Sequence, residues 1–256
     1  MLVRLLGTGD AIGTPKVGCP CLQCQAALAA GRERLRTSLL VAVGGKRLLV
    51  DTGPDLRRQL LAAGSPRIDA VVWTHGHFDH VMGFGEFYRV QKVPPVHAAP
   101  PVIEQAGALF SYLSFERHPH PPGVPFELCG ARVTLVPVNH PPMPTFGLRV
   151  EADGAVLAYT ADTRADIPEE SATLLSGADL LLVDAIAPAG YHISKHMTYD
   201  EALVLADRLR PKEYRCVHIA HLLPRDLPHL GRDGETFVLG AHTDCPAPAA
   251  PAPPSL

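Results

Sequence analysis

Between residues 71 and 83 the chain reads VVWTHGHFDHVMG, with His75, His77, Asp79 and His80 falling within six positions. Three imidazoles and a carboxylate make up the mixed nitrogen and oxygen donor set that borderline metals such as zinc prefer. The apolar run DAVVWT just before them predicts a strand. That puts the four side chains on the loop at its C-terminal end, a usual place for a working site. A solvated polar loop is the plain alternative, but four ligand-type residues so close together argue against it. The cluster by itself fits one metal or two.

Three further residues stand in the same relation to an apolar run. His140 follows ARVTLVPVN, Asp162 follows AVLAYTA, and His218 lies at the end of EYRCVHIA. Singly, each has an ordinary explanation as a loop histidine, a turn aspartate or a satisfied strand histidine. Their common position at strand ends makes them candidates for one shared site.

A second cluster lies near the start, where GCPCLQC brings Cys19, Cys21 and Cys24 together. A Cys-x-Cys-x-x-Cys loop can wrap three thiolates round a tetrahedral zinc that takes one more ligand from elsewhere. The alternatives are a redox pair or three separately buried cysteines. His221 is the candidate fourth ligand, three residues past His218 and able to turn away from its edge. Cys129, Cys216 and Cys245 fit no ligand pattern, and Cys216 reads as a buried core residue.

The elements that must position these groups are short apolar runs bounded by Gly and Pro. Strands are expected near 2–6, 38–43, 47–51, 70–74, 132–138, 145–150, 155–160, 179–184, 214–219 and 236–239. VGGKRLLV signals a hairpin with Gly44 and Gly45 at its turn. Helices are expected in PDLRRQLLAAG, PVIEQAGALFSYL, IPEESATLLSG and TYDEALVLADRL. The last opens with Thr198 and Glu201 at capping-box spacing. Strands and helices alternate with no central linker, which predicts one α/β domain over 1–242. The tail CPAPAAPAPPSL cannot bury a core, so 243–256 is expected to be disordered.

With 256 residues the chain can bury a substantial core, and its formal net charge of −3 provides no general attraction for nucleic acid. The opening MLVRLLGTGDAIGTP meets Gly and Asp too soon for a signal peptide, and no apolar run approaches the roughly 18–20 residues of a bilayer span. A cytoplasmic protein with no membrane partner is therefore expected, and its six cysteines do not read as a disulfide framework.

THGHFDH with His140, Asp162 and His218 resembles the metallo-β-lactamase superfamily along nearly the whole chain. The resemblance implies an α/β, four-layer αββα sandwich with a dinuclear site at one edge. It assigns His75, His77 and His140 to one metal and Asp79, His80 and His218 to the other, with Asp162 as the bridge. GCPCLQC, VNHPPMPTFG and VHIAH further resemble the cyclic phosphodiesterase of the carbon–phosphorus lyase pathway and the neighbouring tRNA 3′-processing ribonucleases. That likeness implies a structural zinc on Cys19, Cys21, Cys24 and His221. A related cofactor-biosynthesis branch has a similar cysteine loop without the full histidine signature, and here His75 and His77 are both present.

SKHMTYDEA places His196 ahead of the capped helix, and His196, Thr198, Glu201 and Ala202 match those phosphodiesterases. Cleaving a phosphodiester releases an alkoxide, which a protonated or hydrogen-bonding histidine can stabilise. His196 is therefore read as the group that assists departure, and Thr198 and Glu201 as a helix cap. His192 is its lesser rival, and His118 and His120 are expected to be solvated loop residues. Asp51 in LLVDTG and Asp184 in LLVDA are expected to orient ligand histidines. Arg164 and Lys195 are merely near Asp162 and His196 in sequence.

The expected function is hydrolysis of a small cyclic, ribose-type phosphate. Two catalytic divalent metals, Zn or Mn, would activate a bridging water, with Asp79 both ligand and catalytic residue; a structural Zn adds a third ion. The partner is a small-molecule phosphodiester rather than nucleic acid, because no long basic arm for tRNA is visible, and a homodimer stays open. The competing readings are a thioester or lactam hydrolase on the same scaffold, and a non-hydrolytic metal-binding accessory protein of cofactor biosynthesis.

Overall fold

The computed structural model describes residues 1–191 and 193–240. The expected 243–256 tail, Cys245 and His192 lie outside them. Two sheets face one another. The first has strand order β13-β1-β2-β3-β4-β5-β6, from β1 (Leu2–Gly7), β2 (Ser38–Val43), β3 (Lys46–Val50), β4 (Ala70–Val72), β5 (Val96–Ala98), β6 (Arg117–Pro119) and β13 (Thr236–Val238). The second runs β12-β11-β10-β9-β8-β7, from β7 (Phe126–Leu128), β8 (Ala131–Val138), β9 (Thr145–Ala152), β10 (Ala155–Tyr159), β11 (Leu180–Asp184) and β12 (Glu213–Val217). Pairing is parallel from β3 through β6 and from β10 through β12, and antiparallel elsewhere.

Alternate residues of the two sheets form one buried core, with Leu39, Leu48 and Val50 from the first and Leu135, Leu148 and Leu157 from the second. Helices α2 (Leu56–Ala62) and α4 (Pro100–Leu109) cover the outer face of the first sheet, adding Leu56, Val102 and Ala106 to that core. Helices α5 (Glu169–Leu175) and α6 (Tyr199–Leu209) cover the second through a separate apolar cluster of Leu175, Leu205, Leu181 and Val183. The result is the αββα sandwich. Each of its sheets buries both faces, which is why the inner strands read as near-continuous apolar runs.

The local signals hold. Gly44 and Gly45 take φ of 54° and 82°, the left-handed conformation that a two-residue hairpin of this kind needs and glycine adopts freely. Thr198 accepts from the Glu201 backbone while the Glu201 carboxylate receives the Thr198 N–H at 2.8 Å, a complete capping box on α6. Cys216 is fully buried in the second apolar cluster.

Some expectations do not hold. His118 and His120 are not simply solvated loop residues: His118 lies on edge strand β6 and His120 in the loop just after it, both are half-buried, and both rings stack on His97, at 4.6 and 5.1 Å between centroids. His97 Nδ1 and His120 Nε2 are 2.9 Å apart. Pairing of β6 alongside β5 draws the three rings into one stack. Among the described residues, no helix is long and apolar enough to cross a membrane.

Candidate metal centre

Six strand ends converge on one edge of the sandwich. β4 delivers Thr74 and His75, followed by helix α3 (Phe78–Val81), which carries Asp79 and His80. β8 leads to His140, β10 to Asp162 and β12 to His218, while β3 and β11 end at Asp51 and Asp184. The two sheets are tied together here: Phe146 N donates to Thr74 O at 3.0 Å, and His218 N donates to Thr37 Oγ1 at 3.2 Å.

The backbone is bent sharply where the chemistry is carried. Asp51, Ala161 and His218 all take positive φ, at 61°, 52° and 58°. A non-glycine residue held there costs on the order of 1–3 kcal/mol, which the packed strands on either side must sustain. Gly53 permits a close approach of another kind, since a Cβ at that position would stand 2.2 Å from the Asp79 carbonyl oxygen. A side chain there would push α3, and Asp79 with it, out of place.

The candidate ligands gather in two groups that share one carboxylate. In the first, His77 Nδ1 lies 3.0 Å from His75 Nε2 and 3.1 Å from His140 Nε2. Asp162 Oδ2 is 3.6 and 4.0 Å from those two Nε2 atoms. In the second, Asp79 Oδ2 and Asp162 Oδ2 each stand 3.3 Å from His80 Nε2, and 3.4 and 3.3 Å from His218 Nε2. The same Asp162 oxygen thus borders both groups.

The donor chemistry fits divalent cations. Burial, together with the neighbouring His80, holds His75 well below the usual imidazole range, and burial likewise lowers His77 and His140. All three are thereby neutral and ready to donate lone pairs. Burial works against ionisation of Asp162, but His218 and His80 outweigh it and keep the carboxylate anionic; His80 and His218 do the same for Asp79. Burial also opposes charge on His80 and His218. There Asp162, with Asp79 and the nearby Asp51 or Asp184, wins: His80 rises well above its ordinary value and His218 to about 9. Protons on these two imidazoles balance the buried carboxylates in the place where a cation would. His80 Nε2 and Asp162 Oδ1 are buried with no hydrogen-bond partner, as expected of atoms whose partner is an ion.

A surrounding set of hydrogen bonds orients these rings. Asp51 Oδ2 accepts from His80 Nδ1 at 2.7 Å, as expected. Asp51 also accepts from Thr74 N and from Thr74 Oγ1, both at 2.8 Å, and Thr74 Oγ1 is 3.0 Å from His75 Nδ1. With its own proton given to Asp51, the Thr74 hydroxyl accepts from His75. Asp51 therefore orients one histidine of each group. Thr74 was not singled out in the sequence, although its place between strand and first ligand is the available signal. His140 Nδ1 donates to the Lys195 carbonyl at 2.9 Å, so Lys195 contributes its backbone. Arg164 instead pairs with Asp166 and, with His140, lines a surface hollow of about 410 Å³.

His196 sits at the mouth, its ring stacked on His218 at 4.8 Å and set edge-on to His140 at 4.6 Å. Its Nδ1 donates to Asp184 Oδ2 at 2.8 Å, and Thr163 N donates to the same oxygen at 2.9 Å. Asp184 Oδ1 faces His218 Nδ1 at 3.7 Å.

The second cluster is also assembled. Cys19, Cys21, Cys24 and His221 have their donor atoms within 4.8 Å of one another. His221 Nδ1 is 3.3 Å from Cys21 Sγ and 3.7 Å from Cys19 Sγ. A tetrahedral zinc with bonds of roughly 2.1–2.3 Å places its ligand atoms about 3.5–3.8 Å apart, so the set has the right size. Helix α1 (Leu22–Ala29) begins here, with Cys21 as its N-cap accepting from Cys24 N at 3.4 Å. Lys16 N donates to Cys24 Sγ at 3.3 Å. Such N–H groups favour thiolates.

Residues 46–219 match the beta-lactamase superfamily domain, more than half of the chain, which belongs to that superfamily. It is similar to an octanoyltransferase of Porphyromonas gingivalis, 30% identical over 240 residues that cover 88% of this chain and 47% of that protein. The chain thus spans about half the length of that relative. Among solved structures it is similar to a diphosphatase from the PhnP family, with 33% identity, a TM-score of 0.82 and coverage of 92% of this chain and 96% of that one. It is also similar to Zn²⁺-bound PqqB from Methylobacterium extorquens, with 26% identity, a TM-score of 0.80 and coverage of 93% and 100%.

Proposed function

We propose that the chain is a metal-dependent phosphodiesterase acting on a small cyclic, ribose-type phosphate. In this reading His75, His77 and His140 hold one divalent ion, and Asp79, His80 and His218 hold the other. Asp162 lies between them, and Cys19, Cys21, Cys24 and His221 carry a structural zinc. Bound there, two divalent ions would supply an activated water and neutralise charge on the phosphoryl oxygens.

The observation that carries the phosphodiester reading is the Asp184–His196 pair at the mouth of the histidine cluster. Asp184 fixes the proton on Nδ1, so Nε2 is the nitrogen left to serve a substrate. An alkoxide leaving group needs a proton; the Asp184 carboxylate can balance an imidazolium at His196, whose Nε2–H would pass its proton to the leaving oxygen and leave the neutral Nδ1–H ring. Thioester cleavage has no comparable need, because a thiolate leaves readily. Similarity to a PhnP-family diphosphatase supports phosphoryl chemistry in general. The formal charge of −3 favours a small substrate over a long polyanion.

Similarity to zinc-bound PqqB favours a second reading, that of an accessory protein of cofactor biosynthesis without turnover. Retention of the complete histidine and aspartate set weighs against it.

One screen separates the readings. Bis(p-nitrophenyl) phosphate, ribose-type cyclic phosphates, a thioester and a lactam are assayed with Zn²⁺ or Mn²⁺ alongside metal counting. Turnover confined to the phosphodiesters with about three ions per chain is expected. Turnover of the thioester or lactam alone would refute the phosphodiester reading, inactivity in every class with the metals loaded would favour the accessory role, and two ions would sink the structural zinc.

A further inference from the structure

We propose that the chain holds a second, non-catalytic anion site that takes a small phosphate-bearing ligand, in the cavity built by Arg32, Arg34, Arg225 and Arg232. This cavity measures about 490 Å³ and draws none of its walls from the histidine cluster. Glu33 and Asp233 complete the lining, but both carboxylates are committed elsewhere. Glu33 pairs with Arg58. Asp233 accepts from Thr8 Oγ1 at 2.7 Å and from Leu35 N at 2.6 Å.

The guanidinium groups are left in excess. Arg34 spends one nitrogen on Thr8 Oγ1 at 2.5 Å and the Gly231 carbonyl at 2.7 Å, which anchors it in the wall. Arg32, Arg225 and Arg232 make no side-chain hydrogen bond or ion pair among the described residues, and Arg225 Nη2 is buried without a partner. Burial holds the Arg34 guanidinium below its usual value. Asp233 opposes that shift, and Arg225 and Arg232 add to it. Arg34 and Arg225 are half-buried while Arg32 and Arg232 reach the cavity from its exposed side; like charges brought together at such a partly buried edge favour an anion between them. A buried donor with no partner is likewise a deficit that a ligand oxygen would correct.

The class of ligand follows from the donors. Guanidinium forks match the tetrahedral oxygens of phosphate, and several converging on one space favour a multiply charged group. A volume of this order suits a small metabolite. An adjoining cavity of about 760 Å³ shares Arg225, Arg232 and Asp233, leaving room for the organic part of a phosphate ester. That side also carries Asp226 and Glu235, and the net charge is negative, so a nucleic-acid strand is disfavoured.

The test is calorimetric titration of the metal-loaded protein with inorganic phosphate and, separately, with ribose 5-phosphate. Wild type is compared with R225Q/R232Q, with H77A/H140A and with their combination, melting curves serving to check each fold. Phosphate taken up by the metals adds a second event in wild type, so the arginine site is read as the event that both phosphates keep in H77A/H140A; that event is expected to be at least tenfold weaker in R225Q/R232Q, in either background. R225Q/R232Q should retain wild-type hydrolysis of bis(p-nitrophenyl) phosphate. Tighter binding of the ester marks a metabolite site, and equal binding a site for free phosphate; either supports the proposal. It is overturned if wild type binds neither ligand, if R225Q/R232Q leaves that event unchanged, or if binding vanishes in H77A/H140A instead. Arginine-dependent binding of a single-stranded RNA 12-mer with no binding of either small phosphate also overturns it.

Discussion

Asp51 Oδ2 stands 2.7 Å from His80 Nδ1, and the same carboxylate reaches His75 through the Thr74 hydroxyl. One buried aspartate therefore sets the tautomer of a histidine in each half of the cluster. Removing such an orienting partner commonly weakens metal binding by about 10–100-fold. Asp51→Asn should lower the affinity for both ions in that range while leaving the cysteine site loaded. Competition with a chromophoric chelator measures it. Loss of one ion only, or none, would show that Thr74 does not relay the orientation of His75.

His196 offers a test that a structural role would not pass. If it protonates the leaving oxygen, His196→Ala should slow an alkyl phosphodiester by about 10²–10⁴-fold and bis(p-nitrophenyl) phosphate far less, because nitrophenolate needs little help. Asp184→Asn should reproduce the same selectivity, since it frees the ring that Asp184 holds at 2.8 Å. Equal slowing of both substrates, with metals still bound, would assign His196 a positioning role only.

The parts legible in the sequence share one cause. His75, His140, Asp162 and His218 each end an apolar run, and the runs are long enough for their strands to be read. β5, β6 and β7 are not legible because VHA, RHP and FEL are three-residue strands set among prolines and charged residues, whereas the equally short β4 and β13 lie inside the apolar runs AVVWT and TFVLG. His118 and His120 were misplaced for the same reason: only pairing of β6 on β5 brings them onto His97. Helix α1 escaped because LQCQAALA presents no apolar stripe and owes its start to Cys21. The Thr74 relay and the Lys195 carbonyl are invisible to residue typing, since they depend on which atoms the folded loops turn inward.

The proton balance of the cluster predicts how pH acts on the metal-free protein. His218 titrates at about 9 in the fold, against about 6.5 for an ordinary imidazole. A raised value means that its stabilising contribution is complete below about pH 6.5 and is lost as pH climbs through about 9. His80 acts in the same direction. Asp79 and Asp162 are depressed, so their contribution is present above about pH 4 and is lost in acid. Burial holds His75, His77 and His140 low, so their contribution fades as pH falls below about 6.5. Chelator-treated protein should therefore resist urea best near about pH 6.5–7 and lose resistance towards pH 9, whereas metal-loaded protein should not lose it in that alkaline range. Identical alkaline behaviour of the two forms would contradict the assigned balance.

The cysteine loop predicts unequal thiols once zinc is removed. The hydrogen bond to His221 is the largest influence on Cys21 and, with that from Cys24 N, lowers it to about 6. Burial pushes Cys24 up to about 11. The thiolate is the nucleophile, so at pH 7 Cys21 should be alkylated first and Cys24 last. The Cys21 rate should climb through pH 6 and level off. Replacing His221 by alanine removes the main cause of the lowered value, and the half-point of that climb should move towards the ordinary thiol range. Zinc should protect all three thiols together, because each becomes a ligand rather than a free nucleophile. Peptide mapping after brief iodoacetamide treatment distinguishes them. Protection of Cys21 alone, or reaction of Cys24 ahead of it, would break the case for a shared tetrahedral site.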